Sequence, residues 1–259
     1  MKETETLLKV LKECGEILSS KFNKTSYKLK GRANLVTEAD IASQQKAISI
    51  ISKAFPEDSI IAEENFSGTV PSGRAWIIDP LDGTTNYAHG FPMAGISVAF
   101  AEGGKTLSAG VFNPMGNELF SAEKGKGAFL NNEKIHVSKT QSVENALLVT
   151  GFPYDRAEKA DYYLKFFKEF MKKSHDVRRL GAASLDMCWL AAGRTDGYWE
   201  FNLKPWDVAA GWLIAEEAGG KISDFSGTPW KIDDSIGQQT LATNGLIHEE
   251  MLEIIKQLI

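Results

Sequence analysis

The chain has 259 residues, which at roughly 100–200 residues per domain predicts one large domain or two modest ones, long enough for a core that needs no staples. Hydrophobic residues make up 43% and charged residues 24%, a mixture that excludes disordered and collagen-like chains. Lys plus Arg is 29 against 34 Asp plus Glu, and the net charge of −5 argues against the clustered positive footprint of a nucleic-acid binder while leaving a partner without a sequence signature open.

In chain order, Leu7, Leu8, Leu11, Cys14, Ile17 and Leu18 recur at helical spacing and predict a first helix. The start of the chain carries acids at once and has no apolar signal-type core. A polar, basic loop is expected over 24–32. A second helix is expected over 41–55, stopped by Pro56. Short apolar runs at 59–62, 75–78, 96–100, 107–112, 118–122 and 127–130, punctuated by Gly and Pro, predict a mainly antiparallel sheet. From about Val137 strands and helices alternate: strands at 146–150, 177–180 and 197–201, helices at 162–171, 182–192, 208–218 and 249–258. The expected division is an α+β half over 1–138 and an α/β half over 139–259. The longest apolar-looking run, Ala94–Ala101, is broken by Gly95 and Ser97 and falls far short of the ~20 residues that cross a bilayer. Cys14 and Cys188 lie far apart in helix-like sequence, which predicts reduced, packed thiols in a soluble, cytosolic protein.

The segment Trp76-Ile77-Ile78-Asp79-Pro80-Leu81-Asp82-Gly83-Thr84-Thr85-Asn86 is the most informative. An apolar strand runs into Asp79, the chain is expected to turn at Pro80, and Gly83 to Asn86 read as the start of a helix. Two carboxylates beside unpaired amides combine hard oxygen ligands for Mg²⁺ with a phosphate cradle. Asp-Pro or Asp-Gly alone is ordinary turn chemistry. Three further acids stand at comparable places: Glu63, with Glu64, ends the strand 59–62; Asp40 and Asp207 open helices, where a capping role would account for them. Should Glu63, Asp79, Asp82 and Asp207 converge, each pair of charges about 4 Å apart would repel by ~4 kcal/mol at an effective dielectric near ~20. Convergence therefore implies divalent metal.

These motifs resemble those of the inositol monophosphatase family. The segment 76–86, continued by His89-Gly90-Phe91-Pro92, is similar to the family's first signature. Trp206-Asp207-Val208-Ala209-Ala210-Gly211 with Glu217-Ala218-Gly219-Gly220 resembles its second, and Leu35–Asp40 and Ala62-Glu63-Glu64 match two more landmarks in order. Ala62 stands where the family usually has glycine. The resemblance implies a mixed α/β (α+β) fold, a layered α/β/α/β/α sandwich, usually homodimeric, that hydrolyses phosphomonoesters with two or three Mg²⁺. By motif, Glu63, Asp79 and the Leu81 carbonyl would hold one metal, Asp79, Asp82 and Asp207 a second, and Glu63 would reach a third through water. Thr84, paired with Asp40, would orient the attacking water, and the Gly83 and Thr84 amides would receive phosphate oxygens. Water activated in this way leaves His89 structural.

For the leaving group, the resemblance points to Glu200 as acceptor of polyol hydroxyls, with Gly181, Ala182 and Ala183 as a small-residue turn that lets backbone approach the ring; Asp82 and Asp207 would face the substrate as well. A strand-end surface role is the alternative for Glu200, and Arg178 and Arg179 read equally as surface or interface charges. Thr85, where bisphosphonucleotide phosphatases carry Lys, favours myo-inositol 1-phosphate and related polyol phosphates, with fructose 1,6-bisphosphate the main competing substrate and histidinol phosphate a lesser one. Lithium inhibition is part of the same expectation. A silent metal- or phosphate-responsive interaction protein is the non-enzymatic alternative; no membrane or nucleic-acid signature accompanies it.

Overall fold

The computed structural model describes residues 1–24, 26–31, 34–63, 73–229, 232 and 238–259. Helix α1 (Lys2–Lys21) buries Leu7, Leu11, Cys14 and Leu18 along the predicted stripe. In the expected loop, a short strand β1 (Tyr27–Leu29) pairs antiparallel with β2 (Leu35–Thr37). All three β1 side chains are exposed, so no hydrophobic alternation announces it. Helix α2 (Glu38–Ala54) begins earlier than its apolar pattern because Thr37 caps it, its hydroxyl accepting the Ala39 N–H while Asp40 accepts the Thr37 N–H.

A seven-stranded sheet follows in sequence order: β3 (Ser59–Ala62), β4 (Arg74–Asp82), β5 (Gly95–Glu102), β6 (Lys105–Asn113), β7 (Glu118–Glu123), β8 (Gly127–Leu130) and β9 (Glu133–Ile135), with the short helix α3 (Thr84–Ala88) between β4 and β5. All its neighbours are antiparallel except β3 and β4. Alternation resumes with β10 (Leu147–Thr150), α4 (Ala160–Lys173), β11 (Asp176–Arg178), α5 (Ala183–Ala191), β12 (Gly197–Leu203), α6 (Pro205–Glu217), β13 (Lys221–Ser223), β14 (Gln238–Thr243) and α7 (His248–Lys256). These five strands form a second sheet in the order β11-β10-β12-β14-β13, with β10 parallel to both its neighbours. The sequence reading missed β9, β13 and β14: the first two have three residues each, too few to show a period, and β14 is largely polar.

Strand alternation builds the layers. On β4, Trp76 and Ile78 face α1 and α2 with Leu7, Leu11 and Ile51, while Ala75 and Ile77 join Leu185, Leu190, Leu213 and Ile214 of α5 and α6. On the second sheet, Val149, Tyr198 and Ala242 meet that same α5/α6 layer. Leu148, Trp199 and Leu241 point the other way, onto Phe166 and Phe170 of α4 and Met251 of α7. The result is the expected α/β/α/β/α stack, with α5 and α6 sandwiched between the sheets. Both cysteines are buried free thiols, and burial raises Cys14 to about 12.

Candidate active site

Strand β4 does not turn at Pro80; it continues to Asp82. Asp79 pairs with Ser97 and Asp82 with Gly95, so the two residues Pro80 and Leu81 stand opposite the single Ile96 and are taken up as a bulge. The extra residue matters. Positions three apart in a regular strand point to opposite faces, but here both acids sit opposite residues two apart and so share a face. β3 lies parallel to β4 with Ala62 opposite Ile78, which brings the next residue, Glu63, beside Asp79. Asp207 is not the cap of α6 but its third residue, with Lys204 at the cap; its carboxylate accepts the Lys204 N–H at 2.6 Å. Capping and site placement coexist: Glu63, Asp79, Asp82 and Asp207 line one cavity of about 660 Å³. Glu64 and Arg32 lie outside the described residues.

Gly83 caps α3 with φ +81°, and a Cβ there would meet the Met93 carbonyl at 2.6 Å, so conformation and space both require glycine. Thr84 and the backbone of the buried Leu81 join the cavity wall. The Thr84 hydroxyl lies 3.0 Å from Asp40 Oδ1 and 2.9 Å from the Leu81 carbonyl, two acceptors for its one hydrogen. Asp40 is fully buried one layer behind, outside the lining, its other oxygen accepting the Thr37 N–H and hydroxyl. His89 lies outside the lining too, its ring 6.2 Å from that of Tyr27.

Gly181, Ala183, Arg179 and Glu200 line the same cavity. Asn86 ties this loop to the signature segment by donating to the Leu180 carbonyl at 2.7 Å and the Met93 carbonyl at 2.8 Å. The Ala182 methyl is buried in the middle layer and does not line the cavity; that position caps α5. Glu200 accepts the Tyr198 hydroxyl at 2.5 Å. The sequence reading missed Ser184, whose N–H and hydroxyl donate to Asp82 Oδ2 at 2.8 and 2.6 Å. Ser184 follows directly on the small-residue turn, but its partner lies 102 positions away, so no local signal marked it. It also missed Lys30, 3.5 Å from Glu63.

The electrostatics are those of crowded acids. Burial, then the charges of Glu63, Asp82 and Asp207, push Asp79 well above the carboxylate range. Burial likewise lifts Asp82, opposed by the Ser184 donors and the Ala183 and Gly83 amides. Asp207 is raised by burial, against the Lys204 N–H, and by Asp82, Glu63 and Glu200. Glu200 rises to about 7 through burial of its carboxyl, partly offset by the Tyr198 hydroxyl and Arg179.

Among the described residues, no three Asp, Glu, His or Cys side chains meet at one point as they stand. Each acid leans on a donor beside it: Glu63 on Lys30, Asp79 on the Leu81 N–H, Asp82 on Ser184, Asp207 on the Lys204 N–H. The donor set of carboxylates and a carbonyl is nevertheless the hard-oxygen kind that Mg²⁺ takes, and a divalent cation would relieve the repulsion that raises Asp79. The residues fit the ion in chemistry and in shared cavity, with side-chain rotation needed to close around it.

Comparison with known proteins gives the chain its family. The family described as the inositol monophosphatase family matches residues 2–259. The chain is 44% identical over 233 residues to the chloroplastic phosphatase IMPL1 of Arabidopsis thaliana, covering 87% of this chain and 62% of that longer protein. It is 45% identical over 202 residues to the Nus factor SuhB of Vibrio cholerae, covering 76% and 74% of the two chains. It is 36% identical over 255 residues to a fructose-1,6-bisphosphatase/inositol-1-monophosphatase of Thermotoga maritima, covering 97% and 95%. Among solved structures, a Thermotoga maritima IMPase superposes with a TM-score of 0.90 at 35% identity, covering 100% of this chain and 98% of that one. An IMPase/NADP phosphatase complexed with Mg²⁺ and phosphate gives 0.82 at 27% identity, covering 94% and 91%. The chain belongs to the inositol monophosphatase family of phosphatase enzymes.

Proposed function

We propose that this phosphatase is Mg²⁺-dependent and releases phosphate from myo-inositol 1-phosphate and related polyol phosphates, leaving the free polyol. The observation that carries the reading is the common cavity: acids from three separate stretches of chain, 63, 79–82 and 207, share it with Thr84 and Glu200. Glu63, Asp79, Asp82, Asp207 and the Leu81 carbonyl would hold two or three Mg²⁺. Bound there, Mg²⁺ would acidify water toward neutrality and offset charge on the phosphoryl oxygens. Asp40, pinned by Thr37, holds the Thr84 hydroxyl with its hydrogen turned inward, so that the Thr84 oxygen presents lone pairs to a water's proton. Glu63, 3.5 Å from the Lys30 ammonium, would take up the water's proton. The amides of Gly83 and Thr84 would bind phosphate oxygens, and Gly181 and Ala183 would let the polyol approach the backbone, with Ala182 contributing only main chain. Glu200 would accept the polyol's hydroxyls.

Residues 1–138 would then form the half that carries most of the ligands, and 139–259 the half that carries Asp207 and Glu200. Lithium sensitivity, a cytoplasmic location and a homodimeric state belong to the same reading and are supported by family membership. A second reading, activity on fructose 1,6-bisphosphate alongside or instead of the inositol ester, is favoured by the name of the Thermotoga maritima relative. Phosphate release from both esters and from a bisphosphonucleotide, with and without Mg²⁺, separates the two. In the same assay Asp82→Asn should nearly abolish Mg²⁺-dependent release without loss of the fold; retained activity would remove Asp82 from the proposed metal site.

A further inference from the structure

Side chains two apart on a strand share a face, so Tyr198 and Glu200 of β12 point together toward the α5/α6 layer. Parallel to β12 runs β10, with Thr150 opposite Trp199, and the residue that follows Thr150 is Gly151. The Thr150 hydroxyl donates to the Trp199 carbonyl at 2.7 Å and fixes this crossing. A Cβ on Gly151 would stand 2.1 Å from both carboxylate oxygens of Glu200 and 2.2 Å from its Cδ. Gly151 is not among the residues with positive φ, so the backbone there does not demand glycine. What demands it is space. The carboxylate of Glu200 rests on the bare Cα of Gly151, with the Tyr198 hydroxyl donating to Oε2.

We propose that Gly151 is a positioning residue for substrate specificity: its missing side chain is the seat that holds the Glu200 carboxylate at the cavity wall. The proposal rests on the reading of Glu200 as the acceptor of polyol hydroxyls. A methyl group at 151 meets the far end of a side chain, not backbone, so the fold can yield by swinging Glu200 away. The same methyl lowers the entropy of the unfolded chain, which offsets part of any strain. Recognition, more than stability, is therefore what it costs. Gly83 is the contrasting case, because there a methyl meets a backbone carbonyl and a positive φ together.

The test is a cycle of Gly151→Ala, Glu200→Ala and the double variant, assayed with Mg²⁺ on inositol 1-phosphate and on 4-nitrophenyl phosphate, with thermal midpoints recorded. Gly151→Ala should lower kcat/KM for the inositol ester by about tenfold or more, mainly through KM, while the aryl ester changes by less than about twofold. Glu200→Ala should do the same, and the double variant should lose no more than Glu200→Ala alone, because with Ala at 200 the methyl has nothing to displace. Equal losses on both esters for Gly151→Ala, wild-type behaviour, or additive losses in the double variant would each overturn the proposal. An unselective Glu200→Ala would overturn the reading beneath it, and the role of Gly151 with it, and is told apart by that single variant.

Discussion

At the scale of the residue, the proposed role of Glu200 as acceptor of substrate hydroxyls would make recognition depend on pH. Burial lifts its carboxyl to about 7, with Tyr198 and Arg179 pulling down and Asp82 pushing up. Above that value it is an acceptor only; below it, one oxygen carries a hydrogen and the acceptor for two neighbouring hydroxyls is weakened. The ratio of kcat/KM for inositol 1-phosphate over 4-nitrophenyl phosphate should fall as pH drops from 8 to 6, and Glu200→Gln should flatten that profile. Cations held at Asp82 would draw the midpoint to or below 7. A wild-type ratio as flat as that of Glu200→Gln would contradict the role. Asp79 and Asp82 were legible in the sequence because strand, acids, glycine and hydroxyls follow in an order that simple turn chemistry does not explain. Ser184 was not, since its bonds to Asp82 span 102 positions and no local pattern encodes them.

At the scale of the element, α5 carries an anomaly. The helix is almost wholly buried, and Asp186 within it is 1% exposed, with neither carboxylate oxygen hydrogen-bonded among the described residues. Burial, then the charges of Glu200 and Asp82, hold its carboxyl well above the usual range, against Arg179. The sign follows from linkage: the unfolded chain releases this proton near pH 4 and the folded chain keeps it, so the group costs stability progressively as pH rises from there. Asp186→Asn, which has no proton to lose, should raise the thermal midpoint relative to the wild type by a margin that grows between pH 5 and 8. A margin that shrinks with pH would contradict the account. Elements were legible where an apolar period runs long enough, as in α1 and β5. The bulge in β4 was not: Pro80 reads as the end of a strand, and only pairing with β5 reveals that the strand absorbs it.

At the scale of the molecule, two sheets share one helical layer, and the cavity opens where β4 ends and α6 begins, beside the start of α5 and the end of β12. The succession from antiparallel strands to strands alternating with helices was visible in the sequence, because Gly103-Gly104 and Pro114 to Asn117 mark tight turns in the first part and helical spacing separates the strands of the second. The order of the second sheet was not, because it depends on which strands β12 meets rather than on any segment alone. This geometry gathers acids that repel one another, an arrangement that bound divalent metal would stabilise. Anomalous diffraction from crystals soaked in Mn²⁺, a hard divalent stand-in for Mg²⁺, tests it most directly. At least one peak is expected, bounded by Asp79 and Asp82 together with Glu63 or Asp207. Density at surface carboxylates with none among these four residues would contradict it.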